Sequence, residues 1–192
     1  MMGLLSRDQE SFDVQKAIAA IGYLVEQTGE SMYPLMKMMY LADKIHLERF
    51  GRFIAGDSYV AMARGPVPSH AYNLVKCVRG DIQDKALADG RQYFEYVHGT
   101  HELKLKVQPD YDELSGSDVD CLDEVVGIYK RLGKWAVRDL SHDTAWSKTW
   151  ERKKGGRVVK AIKMPVHAIA EQYDDAEKVM SHLRDSTPGE AE

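Results

Sequence analysis

Cysteine is scarce. The 192-residue chain has two, Cys77 and Cys121, with no CxxC spacing. A disulfide scaffold is thereby excluded, and a reducing, cytoplasmic setting is expected. No apolar run reaches the roughly 18 residues that a membrane-spanning helix needs, and the opening MMGLLSRDQE lacks the apolar core of an export signal. Positive charge is not in excess either. Lys and Arg number 26 against 30 Asp and Glu, a formal net charge of -4. A dedicated nucleic-acid binder needs clustered surplus cations, so that class is disfavoured. The glycines form neither G-x-G-x-x-G nor GxxxxGK[ST], and no G-x-S-x-G elbow is present.

What the chain does have is enough apolar sequence (44%) for one core and enough charge (29%) for an ordinary surface. We expect a single domain over 11–185, a flexible start at 1–10 and a disordered tail at 186–192. Val14, Ala17, Ile18, Ile21, Leu24 and Val25 recur at helical spacing, with Ser11 or Asp13 as cap and Gly29 as stop. A second helix over 32–50 is apolar round most of its circumference, with Lys37, Lys44 and Glu48 as its polar stripe, which marks a central, buried helix. The period then drops to two. Arg52–Ala55 and Tyr59–Ala63 read as a hairpin about Gly56-Asp57, after which Pro66 and Pro68 are expected to block further pairing. Ser69 is the expected cap of a helix to Arg79. A second hairpin is expected over 92–107. Ser117 or Asp118 is expected to cap a helix to Leu132, with short helices at 135–140, 143–150, after Pro165 and at 174–184. The fold expected is mainly α with small β-hairpins (α+β), compact around helix 32–50.

The chemical candidates are few. Asp43 and His46 are three residues apart on one face of the central helix. They are either an acid/base or metal pair, or a structural pair bonding the nearby GPVP backbone. Two ligands are too few for a metal. His98 and His101 flank a turn and are expected to be solvated. Ser141-His142-Asp143 holds the residue types of a hydrolase triad, but triad members meet in space, not in sequence. Ser141 or Asp143 is better read as the cap of the helix bearing Trp146 and Trp150. No catalytic residues, cofactor or metal are expected, and the chain reads as a non-enzyme. From Lys148 to Lys163 there are seven Lys/Arg and one acid, the pattern of a solvated loop or of a surface facing an acidic partner. Aromatics anchor interfaces and methionines repack around varied partners. Tyr72, Trp135, Trp150, Arg152, Lys153 and Lys154 are therefore the candidate partner contacts.

The order of motifs resembles a known family. The run LMKMMYLADKIHLERFGRFIAGDSYVAMARGPVPSHAYNLV carries Lys37, Tyr40, Asp43, His46, Gly51, Gly56, Asp57, Tyr59, Val60, Gly65, Pro66 and Val67 as they stand in the SocA-like, or Panacea, antitoxin domain. LSHDTAWSKTW, with His142 and Trp146, is similar to a later segment of that family. The likeness spans about residues 12–185. It implies an antitoxin of a type II toxin–antitoxin system that binds and neutralises a protein toxin. The resemblance also leaves open a proteolytic adaptor that delivers the toxin to ClpXP, a phage or prophage protein with a host-directed binding role, and a homo-oligomer. Asp43, His46, Asp57, Tyr59, Gly65, Pro66, Val67, His142 and Trp146 are the motif residues it marks, as a scaffold in which Asp43 locks the Gly-Pro corner.

Overall fold

The structure, a computed structural model, describes residues 12–151 and 160–185. The expected flexible start at 1–10, the tail at 186–192 and the candidate contacts Arg152, Lys153 and Lys154 lie outside the described residues.

The architecture is mainly helical, with two small antiparallel sheets. Helix α1 (Val14–Thr28) starts where the Asp13 side chain accepts from the Lys16 amide, and it ends at Gly29, whose φ of 61° suits a left-handed C-cap. Helix α2 (Met32–Phe50) is the axis of the molecule. Every residue from Pro34 to Asp43 is buried, because α1, α3, α5, α7 and a β-hairpin pack around it. Leu35, Met38 and Leu47 are wholly enclosed, and burial of each such side chain contributes roughly 1.5–3 kcal/mol. Lys37 departs from the expected polar stripe. It is 1% exposed, because the hairpin and the 141–146 segment cover the side of α2 that periodicity assigns to solvent.

The hairpin also differs from expectation. Residues 52–55 form no strand, and pairing occurs between β1 (Tyr59–Met62) and β2 (Gly65–Pro68). Pro66 and Pro68 do not block the ladder. They sit opposite Ala61 and Tyr59, two residues apart, so both point their nitrogens the same way, outward from an edge strand. The intervening bonding edge continues at Ser69, whose amide donates to the Ser58 carbonyl at 2.8 Å. On the other side of β1 lies β5 (Ile162–Met164), giving the order β2-β1-β5. Three residues beside a basic run leave too short a pattern for β5 to be read in sequence.

Helix α3 (Ser69–Arg79) follows β2 directly. A short α4 (Gly90–Tyr93) leads into the hairpin of β3 (Phe94–Val97) and β4 (Glu102–Leu105). Segment α5 (Gly116–Ser141) is two helices that meet at a kink, as expected, because Gly133 (φ 78°, ψ 174°) leaves the helical region. Its cap is Ser115, not Ser117 or Asp118. Asp118 is the reciprocal partner in a capping box. Helices α6 (Thr144–Glu151), α7 (Val166–Ala170) and α8 (Ala176–Asp185) complete the chain. No described helix is long and apolar enough to cross a membrane.

Candidate protein-binding groove

Asp43 and His46 face different partners. The Asp43 carboxylate accepts from the Tyr59 hydroxyl at 2.5 Å and the Ile54 amide at 2.7 Å. It thus holds the irregular 52–58 segment and strand β1 to α2, and it does not bond the GPVP backbone. Burial pushes the Asp43 carboxyl up to about 7, against the two hydrogen bonds, which lower it. His46 is fully enclosed. Its Nδ1 meets the Arg52 carbonyl at 3.0 Å, and its Nε2 meets Ser117 Oγ at 3.1 Å and Asp118 Oδ1 at 3.0 Å. A carbonyl can only accept, so Nδ1 carries a proton, and a proton on Nε2 would be donated to the Asp118 carboxylate. Burial lowers the His46 pKa, against the pull of the Arg52 carbonyl and of Asp118. Asp118, also taken up by Arg52 and Lys16, keeps its carboxyl below the usual range. Burial pushes it up, but the Ser115 hydrogen bonds and these cations outweigh that.

The GPVP corner is held from elsewhere. Lys37 Nζ donates to the Pro66 carbonyl at 2.5 Å, and burial lowers the Lys37 pKa to about 7. Gly65 has φ +101°, and a Cβ there would lie 2.6 Å from His142 Nε2 and 2.9 Å from Lys37 Nζ. Only glycine fits both the backbone and the space. His142 stacks on Trp146 with centroids 4.4 Å apart, and the Trp146 indole donates to the Met62 carbonyl at 2.9 Å. His142 Nε2 is buried without a hydrogen-bond partner among the described residues. Asp143 caps α6 by accepting from the Trp146 amide at 3.1 Å, and its other oxygen takes Tyr40 and Lys44, each at 2.8 Å. The two motifs recognised about 75 residues apart in sequence therefore close on one another across α2.

Asp57 serves the far end of the corner. Its carboxylate accepts from the backbone amides of His70 (2.9 Å) and Ala71 (2.8 Å) at the start of α3, and from the Ser58 amide at 2.7 Å. The expected Ser69 cap makes no side-chain bond. A carboxylate reaching across a turn does that work instead, and it also meets the positive end of the helix dipole.

Beside this rigid corner lies an open groove of about 740 Å³. One wall is the first two turns of α2, with Met32, Tyr33 and Met36. The facing walls come from β1–β2, through Met62 and Val67, and from α3, through Tyr72. Trp150 of α6 and Tyr96 of β3 close the ends. The lining is largely apolar, and no aspartate or glutamate contributes to it, whereas Lys37, Arg64, Arg79 and Lys160 do.

Of the candidate partner contacts, Tyr72 and Trp150 are thus brought into one surface. Trp135 is not among its lining residues. It is 60% exposed on α5, flanked by Lys134 and by Arg138, whose guanidinium lies 5.0 Å from the ring. Among the motif residues, Lys37 and Val67 line the groove. Lys37, Asp143, Met32 and Met36 escaped the sequence reading as site residues. Buried lysine leaves no periodic signature, and methionine in a helix reads as core filling. His101 pairs with the Tyr96 hydroxyl at 2.8 Å and lines the groove. Among the described residues no cluster of three His, Cys, Asp or Glu could hold a metal ion.

A family model described as antitoxin SocA-like, Panacea domain, matches residues 35–147, which include α2 from Leu35 onward, both hairpins and the start of α6. No curated protein and no solved structure matches.

Proposed function

The chain belongs to the SocA-like, Panacea-domain antitoxin family, and from that premise we propose that it is the antitoxin of a type II toxin–antitoxin system, acting by direct binding to a protein toxin. The observation that supports this reading is the groove. It is open, aromatic at its walls and methionine-rich at its floor, the composition from which protein interfaces draw their anchors. The corner beside it is fixed by Lys37, Asp43, Asp57 and Trp146, so the binding edge is ordered before the partner arrives and loses little entropy on binding.

Neutralisation is steric in this account: the chain covers the working surface of the toxin and transforms no substrate. Co-expression with the toxic open reading frame beside its gene tests it. Growth should be restored by the intact chain, and the two proteins should co-purify as a complex. A toxin that stays lethal and unbound in the presence of the folded chain would refute it. The toxin half-life, measured with and without ClpXP, separates occlusion from delivery to the protease. Occlusion leaves it unchanged.

A further inference from the structure

Resting on the protein-binding reading above, we infer that the groove between α2, the β1–β2 hairpin and α3 takes an acidic segment of the partner that carries apolar anchors. The occupant follows from the charge and chemistry of the lining. The chain as a whole has 30 acids against 26 Lys and Arg, yet among the described residues the acidic and basic side chains that line the groove are all basic. Two of the four are already engaged. Lys37 bonds the Pro66 carbonyl, and Arg79 is paired with Asp81. Arg64 and Lys160 are exposed on the rim and are left to meet the charge of the ligand. Between them lies an apolar floor formed by Met36, Met62 and Val67, which a fully charged ligand would not satisfy. A segment with Asp or Glu at the edges and Leu, Ile or Phe facing inward satisfies both.

A nucleic acid is the less suitable occupant. Among the described residues, the two cations left on the groove neutralise few phosphates, whereas affinity for a strand scales with the number neutralised. Thioethers that adapt their shape fit varied side chains, which suits a polypeptide.

Selection of a random-peptide display library on the purified full chain tests the assignment. Selected peptides should combine acids with large apolar residues. Arg64→Glu together with Lys160→Glu should weaken the selected peptides at least about tenfold, and raised ionic strength should weaken binding to the wild type. Both positions are exposed, so the double variant should keep the wild-type circular dichroism and melting curve. Tyr72→Ala should also weaken binding, through the apolar wall. Basic or charge-free winners, no winners, affinity unchanged by the double variant, or a single-stranded RNA oligomer outcompeting the peptides would each overturn the assignment.

Toxin rescue separates the two claims. If the double variant loses the peptides yet still rescues cells, the antitoxin reading stands and the groove assignment fails. If the groove takes acidic peptides but the chain rescues nothing, the assignment stands and the antitoxin reading fails.

Discussion

Asp43 is a carboxyl with no ion-pair partner among the described residues, held by one hydroxyl and one amide. Removing it in Asp43→Ala strands the Tyr59 hydroxyl and the Ile54 amide in the core, which should cost about 2–4 kcal/mol; chemical denaturation measures it. Asp43→Asn keeps an acceptor for Ile54 and should cost less. The pH dependence has a definite sign. The folded-state value of about 7 lies above the ordinary 3.8, so the folded state holds the extra proton between these values. Stability from this group is therefore present below about pH 4 and is lost as pH rises to 7. Asp43→Asn should remove that decline. Lys37 acts in the opposite window. Its value of about 7 lies below the ordinary 10.5, so the unfolded state binds more protons there, and stability should climb from pH 7 upward. The climb ends near pH 10, where burial has raised Tyr40 and Tyr59 and their unfolded counterparts ionise first. Lys37→Met should flatten the climb in urea titrations across this range. At Gly65, alanine meets both a positive φ and the His142 ring, and a loss of about 2–4 kcal/mol is expected. Repeating Gly65→Ala in a His142→Ala background should recover part of that loss, the share due to overlap, and leave the share due to φ.

At the scale of elements, the β1–β2 hairpin is held at both ends and from both sides, by Asp57 at α3, Lys37 at Pro66 and Trp146 at Met62. Trp146→Phe keeps the stack on His142 and removes only the indole donor, so thermal melts should show about 1–2 kcal/mol of destabilisation. How much of this could be read from sequence varies by element. Helices α1 and α2 announce themselves through periodicity and through Gly29 and Gly51, which supply left-handed caps. The β3–β4 hairpin shows its alternation. The β1–β2 hairpin hides because proline is a poor strand former in the interior of a sheet, and only a neighbourless edge lets Pro66 and Pro68 pair. The break in α5 shows in sequence at Gly133, where one helix ends and the next begins. The bond of Asp43 to Tyr59 follows from their places beside the corner in sequence, whereas the approach of His142 to Gly65 depends on tertiary placement. Residue type marks a position such as His142 as unusual, but its neighbours emerge only in three dimensions.

For the whole molecule, family motifs and binding surface overlap only in part, at Lys37 and Val67. Most motif positions fix the corner, and the groove is walled by side chains such as Met32, Tyr72 and Trp150 that no motif singles out. A shared scaffold with an independently variable lining is a physical route to partners of different shape, since changes at the lining leave the buried network intact. Substitutions should therefore divide into two classes. Asp43→Ala or Gly65→Ala should lower Tm and rescue together, while Arg64→Glu with Lys160→Glu, both exposed, should lower rescue at unchanged Tm. The most direct test of the central claim is a calorimetric titration of the purified chain into the purified toxin encoded beside it, with toxin activity assayed on the same samples. The account predicts saturable binding, with activity falling in step with the bound fraction. Saturation with the toxin still fully active, or no heat of binding from a folded chain, would contradict it.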